Sequence, residues 1–327
     1  MRGPDRVGHM LVLGYAGAAP PEELYAFAAR FGLGGVILFR RNAGTAAEVT
    51  RVLAAFRARL AEVDPGSPAL VLVDQEGGRV ERLRDGVPSL PPARELAAGG
   101  PQAVAAAVGA QARALRRLGI DVNLAPVCDL PRPGASEVIG DRAYAADPAC
   151  AGACVAAHVA ATLAAGVLPC AKHFPGHGAA RVDSHAALPV LDLSREEIRT
   201  RDLVPFTAAI AAGVPLVMPG HLHVPAVDDA PASLSSRWLQ DALRGELGFA
   251  GAVVSDDLEM GALDGLGAPP QLAARAVAAG CDLLIYGQNL RPGLAVAAVA
   301  EHLEQHLPGA LLGRALARVH GLRERLG

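Results

Sequence analysis

The sequence predicts a single-domain α/β protein of the (β/α)8, TIM-type barrel class. Three observations carry this expectation. Short apolar runs alternate with longer Ala/Leu/Arg-rich stretches of helical period along the whole chain, with no composition break. The composition is 51% hydrophobic but only 4% aromatic, so the core is built from Ala, Val and Leu, which suits helices laid closely on a parallel sheet. Finally, polar residues fall at or just past the ends of the apolar runs: Asp74, Asn123, Lys172 with His173, His221 with His223, and Asp256. In a closed barrel those strand ends form the active-site rim. At 327 residues the length allows two domains, yet a barrel of this size is routinely one, and one catalytic domain over 1–327 is expected.

In chain order, Met10 to Gly14 reads as the first strand and Pro20 to Phe31 as a helix opened by prolines, with Glu22 and Glu23 in its first turn. The strand Gly35 to Phe39 follows, then the helix Thr45 to Ala61, whose Val49, Val52, Leu53, Phe56 and Leu60 keep to one face. Ala69 to Val73 is the third strand and Pro101 to Leu118 its helix; Val122 to Ala125 and Pro148 to Ala165 make the fourth pair. Val167 to Ala171 is the fifth strand and leads into KHFPGHGAARVDSHAALP (172–189), a Gly/Pro-broken segment dense in titratable groups. Ser194, with Glu197 three residues on, starts a helix by a capping box that runs to about Ala212. Val214 to Met218, the helix Leu234 to Leu247, Ala252 to Ser255, the helix Gln271 to Ala279 and Leu283 to Ile285 complete eight units, and two Leu/Ala-rich helices follow.

Several function classes lose support from composition. A net charge of −3 without long runs of one sign gives no footprint for nucleic acid. No uninterrupted apolar stretch reaches the length of a membrane span, and the apolar run near the N-terminus is too short for a signal peptide, so a cytoplasmic protein is expected. Cys128, Cys150, Cys154, Cys170 and Cys281 lack CxxC spacing, which argues against a disulfide framework or a structural zinc; Cys150 and Cys154, one helical turn apart, read as small core residues. No Gly-rich phosphate or dinucleotide motif opens a helix, and no cofactor is expected.

Four clusters are candidates for chemistry. VVSDDLEMGAL (253–263) ends a buried strand with adjacent carboxylates; in extended geometry only one can face the barrel mouth, and Asp256, in phase with Val254, is a candidate. The bland alternative is a helix cap beside a solvated Asp. In Asp183-Ser184-His185 an aspartate two residues before a histidine can orient the ring and favour imidazolium, as a proton donor near neutral pH requires; a surface histidine is the competing reading. Asp74 with Arg79 and Arg82, beside the glycine pair of DQEGGRVERL, offers a carboxylate and two guanidinium forks of the kind that grip sugar hydroxyls, or else a structural salt-bridge cluster; Arg142 is ambiguous in the same way. His173, His177, His221 and His223 keep a metal-dependent hydrolase open as an alternative, although the first strand has no HxH pair.

Taken together, GGVILFRRN (34–42), DQEGGRVERL (74–83), NLAPVCDL (123–130), VIGDRAY, KHFPGHG with DSH, and ELGFAGAVVSDDLEMGAL (246–263) resemble glycoside hydrolase family 3, most closely its single-domain β-N-acetylglucosaminidases. They span nearly the whole chain in the family's order. The resemblance implies that Asp256 is the nucleophile, that His185 is the general acid/base with Asp183 as its partner, and that Asp74, Arg82, Arg142, Lys172 and His173 hold the N-acetylglucosamine unit. It further implies a retaining mechanism through a glycosyl-Asp256 intermediate, terminal N-acetylglucosamine released from cell-wall fragments, no metal, and a monomer acting on a small carbohydrate. A phosphorylase is a close variant, since a histidine acid/base does not repel phosphate as a carboxylate does, and other family 3 β-glycosidases are near it. This chain departs from the pattern at Ala179-Ala180, where many relatives have Asp-Thr, and at Glu259, where a small residue is usual.

Overall fold

The computed structural model describes residues 6–66, 68–287 and 294–326; the ends of the expected domain, 1–5 and 327, lie outside them. Eight parallel strands close into a barrel in sequence order. They are β1 (Leu11–Leu13), β2 (Gly35–Leu38), β3 (Leu70–Val73), β4 (Val122–Asn123), β5 (Leu168–Phe174), β6 (Leu216–Pro219), β7 (Ala252–Asp257) and β8 (Leu283–Tyr286). Period-two alternation sorts their side chains. Val12, Ile37, Leu70, Leu72, Cys170, Leu216, Val254 and Ile285 belong to one buried cluster that fills the barrel. Their strand neighbours Leu11, Val36, Val71, Val217, Val253 and Leu284 pack outward against the helices.

The helical layer comprises α1 (Glu22–Phe31), α2 (Ala46–Val63), α3 (Ala93–Ala97), α4 (Gly100–Leu118), α5 (Pro148–Ala164), α6 (Arg195–Glu197), α7 (Val204–Ala211), α8 (Pro269–Ala279), α9 (Leu294–His306) and α10 (Gly309–Glu324). The capping box at Ser194 is present, but the single helix expected to Ala212 is not: a π-helical turn at Ile198–Asp202 separates α6 from α7, which carries Pro205 in its first turn. The expected helix 234–247 is likewise a π-helical segment, Arg237–Glu246. Cys154 is buried as expected, whereas Cys150 is exposed, because it lies in the first turn of α5 beside the Asp147 cap. Val319 and Leu322 of α10 join the barrel's interior cluster, so this helix closes the end opposite the strand C-termini.

That closed end is held by buried carboxylates that bind strand starts. Asp282 accepts the backbone N–H of Val253 at 2.8 Å and is clasped by Arg244 at 2.8 Å and Arg318 at 2.9 Å. Asp121 accepts the N–H of Val71 and a guanidinium N–H of Arg57, each at 2.9 Å. Asp64 takes the N–H of Leu33 together with His9 and Arg6. Each of these carboxylates has its acceptor positions filled from within the protein, the condition under which a buried charge is tolerated. Among the described residues no helix is long and apolar enough to cross a membrane.

Candidate active site

A cavity of about 230 Å³ opens at the C-terminal rim of the strands; Asp74, Arg82, Arg142, Lys172, His173, His185 and Asp256 all line it. Asp183 lies behind His185, with Oδ1 accepting from both the backbone N–H (2.9 Å) and Nδ1 (2.7 Å) of that histidine. The residues expected from sequence therefore converge on one space.

Two β-bulges shape the floor. Between Val254 and Asp257 the β7–β8 register shifts, so Asp256 and Asp257 both line the cavity. The expectation that only one of them faces the mouth is thus corrected: a bulge inserts a residue and re-aims the side chain that strict alternation would turn outward. A second register shift, between Lys172 and Phe174 on the β5–β6 edge, does the same for Lys172 and His173, and β5 runs past the expected end at Ala171 to include both. The Lys172–His173 peptide is cis.

Charge on one wall is densely paired. Lys172 Nζ lies 2.7 Å from both Asp74 Oδ1 and Glu76 Oε1, and Glu76 takes Arg142 in a two-point fork, with Nε and Nη2 each at 2.8 Å. Burial alone would raise the Glu76 pKa, but Arg142 and Lys172 hold it far below the carboxylate range. Burial would likewise lower the Lys172 pKa, yet Asp74 and Glu76 more than reverse this, so the ammonium stays charged. Asp74 Oδ2 has Arg82 only at 3.7 Å, too long for a hydrogen bond, and so keeps capacity for a ligand. Arg79 does not join Asp74. The backbone reverses at Gly77 and Gly78, both at positive φ, and a bridge from Gly77 to Val80 returns Arg82 to the cavity while Arg79 projects away. Its Nη2 donates to the carbonyls of Glu137, Val138 and Ile139, steadying the loop that supplies Arg142.

Asp256 accepts the N–H of Asp257 at 2.9 Å. Burial would raise its pKa, but the His221 and His173 rings, that N–H and the Lys172 ammonium hold it below the ordinary value, so it is ionised at neutral pH. Asp257 is half-buried and caps no helix: its Oδ1 accepts from Glu259 N at 3.0 Å and Gly287 N at 3.2 Å, and burial pushes its pKa up to about 7. Both nitrogens of His221 are engaged, Nδ1 with Ser233 Oγ at 2.7 Å and Nε2 with the Asp257 carbonyl at 2.9 Å. His173 Nδ1 is spent on Asp129 Oδ2 at 2.7 Å. Among the described residues no three His, Cys, Asp or Glu side chains converge where they could hold a metal ion, so the geometry gives the metal alternative no centre.

Glu76, Asp129 and Asp257 were not singled out from sequence. Glu76 stands two residues after Asp74, a spacing that places both carboxylates on one side of an extended segment and was a usable signal. Asp129 sits in a proline-broken loop that gives no hint that its Oδ1 receives the backbone N–H groups of His173 and His177 at 3.2 and 2.7 Å.

A barrel whose strand ends gather a half-buried ionised carboxylate, a carboxylate-paired histidine and a wall of forked charges defines an enzyme that acts on a polar, hydroxyl-bearing substrate. The chain belongs to glycosyl hydrolase family 3: the model of that family's N-terminal domain matches residues 5–322, and the protein is a glycoside hydrolase. Among its relatives, a beta-hexosaminidase of Stenotrophomonas maltophilia (strain R551-3) is 40% identical over 283 residues, 84% of this chain and 82% of that protein. One of Pseudomonas aeruginosa (strain LESB58) is 42% identical over 271 residues, 82% of this chain and 79% of that protein. Among solved structures, a glycoside hydrolase family 3 beta-N-acetylglucosaminidase from Paenibacillus sp. str. FPU-7 superposes with a TM-score of 0.93 at 34% identity; it covers 100% of this chain, which spans 63% of that one. A beta-N-acetylhexosaminidase from Beutenbergia cavernae superposes at 0.89 with 30% identity, and 98% of each chain is covered.

Proposed function

We propose that this protein is a retaining exo-β-N-acetylglucosaminidase, built as one catalytic domain over 1–327, that removes terminal N-acetylglucosamine from cell-wall fragments as a cytoplasmic monomer. The observation that carries the reading is the placement of Asp256 and the Asp183-backed His185 around one small cavity whose polar wall includes Asp74, Arg82, Arg142, Lys172 and His173. A volume of about 230 Å³ is below the ~300–1,000 Å³ of typical drug-sized ligand sites, which suits one sugar ring and hence attack at a chain end. Relatives named beta-hexosaminidase and beta-N-acetylglucosaminidase support the choice of sugar.

In this mechanism Asp256 attacks the anomeric carbon as the glycosidic C–O bond breaks, and His185 Nε2–H gives its proton to the departing oxygen. Water then displaces Asp256 while His185 Nε2 takes up the water's proton, so that Asp256 and His185 both return to their starting states. Asp183, accepting Nδ1–H, fixes the ring so that Nε2 is the nitrogen that exchanges the proton. Asp256→Ala is expected to abolish hydrolysis of an aryl N-acetylglucosaminide, and the wild type to gain the mass of one N-acetylhexosyl residue during turnover. An unchanged rate in the variant would overturn the assignment. Assays with and without inorganic phosphate distinguish this reaction from phosphorolysis through the same intermediate.

A further inference from the structure

From Arg181 to Leu188 the segment bearing His185 is exposed or half-buried except at Ser184. The side chains of Asp183 and His185 are 46% and 67% exposed, whereas Ser184 between them is 3% exposed. Its Oγ lies 3.0 Å from Nε2 of His177, and its carbonyl accepts the N–H of Ala262 at 3.1 Å. His177 is itself fixed: its backbone N–H donates to Asp129 Oδ1 at 2.7 Å, and its ring stands edge-on to His173 at 5.7 Å. On the other side the segment lies flat on the turn that follows β7. A Cβ added at Gly261 would come within 2.8 Å of the His185 carbonyl, so only glycine permits that approach. The residue in the middle of Asp-Ser-His is thereby tied both to the strand that presents Lys172 and His173 and to the strand that presents Asp256.

The ring chemistry of His177 fits this tie. Its Nδ1 is buried and has no hydrogen-bond partner on any other described residue. Burial, and then the neighbouring His173, lower its pKa, so the ring is neutral and only one nitrogen carries hydrogen. Its Nε2 and the Ser184 hydroxyl share one hydrogen bond in which either can donate.

We propose that His177 and Ser184, which also line the cavity, form a positioning pair that sets where His185 delivers its proton, acting on the acid/base step through the loop. This rests on His185 being the acid/base. Proton delivery decides the rate only when the leaving group is poor: a dinitrophenolate departs without help, an alkoxide or simple phenolate does not. Across a series of aryl N-acetylglucosaminides, Ser184→Ala is therefore expected to lose about tenfold or more in kcat/KM on the poorest leaving group and under about twofold on the best. Ser184→Thr, which keeps the hydroxyl, is expected to recover most of the loss. His185→Ala is run on the same series and is expected to show a still steeper dependence. A steep His185→Ala series with a uniform loss, or none, in Ser184→Ala would overturn the pair alone. A flat His185→Ala series would overturn the acid/base reading and the pair with it.

Discussion

At the closed end of the barrel, Asp282 is clasped between Arg244 and Arg318; at the open end, Glu76 is clasped between Arg142 and Lys172. The charge arrangement is the same, one buried carboxylate bridging two cations, but the surroundings differ. Asp282 also takes a strand N–H, and although a cavity reaches it from outside the barrel, both its oxygens are filled by Arg244, Arg318 and Val253, so its network closes on itself and ties β7 to β8. The Glu76 network continues into Asp74, which has an oxygen to spare and faces the cavity. In the proposed function, equivalent ion pairs thus serve packing at one end and binding at the other, and what separates them is whether the last acceptor is filled by the protein.

The sharpest way to break this contrast is Glu76→Gln. Lys172 keeps Asp74, but Arg142 loses its fork and two buried cations lose their shared anion. Charged hydrogen bonds of ~1.5–3 kcal/mol each predict a fall in kcat/KM of about 100-fold or more, accompanied by a lower Tm. Steady-state kinetics beside a thermal melt measures both, and retained activity would make the open-end network structural like the other. Asp282→Asn is the mirror experiment. Removing one partner of a buried ion pair costs ~3–5 kcal/mol, read as a lower urea midpoint, while kcat/KM at a permissive temperature is expected to stay within about twofold.

The same contrast explains what the sequence could reveal. The barrel was legible because strand and helix periods depend on local order, and Asp74, Lys172, His173 and Asp256 were legible because a strand end next to a polar residue is a one-dimensional pattern. The bulges in β5 and β7 were not, since they arise from pairing with β6 and β8, and they decide that Asp257 joins Asp256 and that His173 joins Lys172 at the cavity. Arg79 and Arg82 looked equivalent three residues apart until the Gly77–Val80 reversal separated them. Asp129 and Glu76 were hidden for a related reason: a buried carboxylate is intelligible only with its partners, which lie 44 and 66 residues away in His173 and Arg142. The Asp183–His185 partnership, local by contrast, was readable from its spacing.

Acid supplies a graded test of the two ends. Behind the open-end network, His158 is buried against Tyr144, whose hydroxyl lies 2.7 Å from Nδ1, and burial drives its pKa down to about 3. The unfolded chain returns this group to ~6.5, so below that pH the unfolded state binds a proton that the native state refuses. Stability therefore falls as pH drops from ~6.5 toward 3, at up to ~1.4 kcal/mol per pH unit from this residue alone. His177 and His221, whose pKa values are also lowered by burial, add to the slope. At the closed end the sign is the same but the window lies lower. Burial would raise the Asp64 pKa, but His9 and Arg6 more than offset it, so the stability Asp64 contributes is present above ~3.9 and is lost only as pH falls through its lower folded value. Acid of pH 4.5 should consequently weaken the open end while leaving the Asp64 contacts intact. His158→Gln keeps an acceptor for Tyr144 and removes the titration; urea unfolding at pH 7 and 4.5 should show the variant gaining ~2–3 kcal/mol on the wild type between the two. An equal pH dependence in both proteins would mean that the buried histidine is not what makes this end of the barrel acid-sensitive.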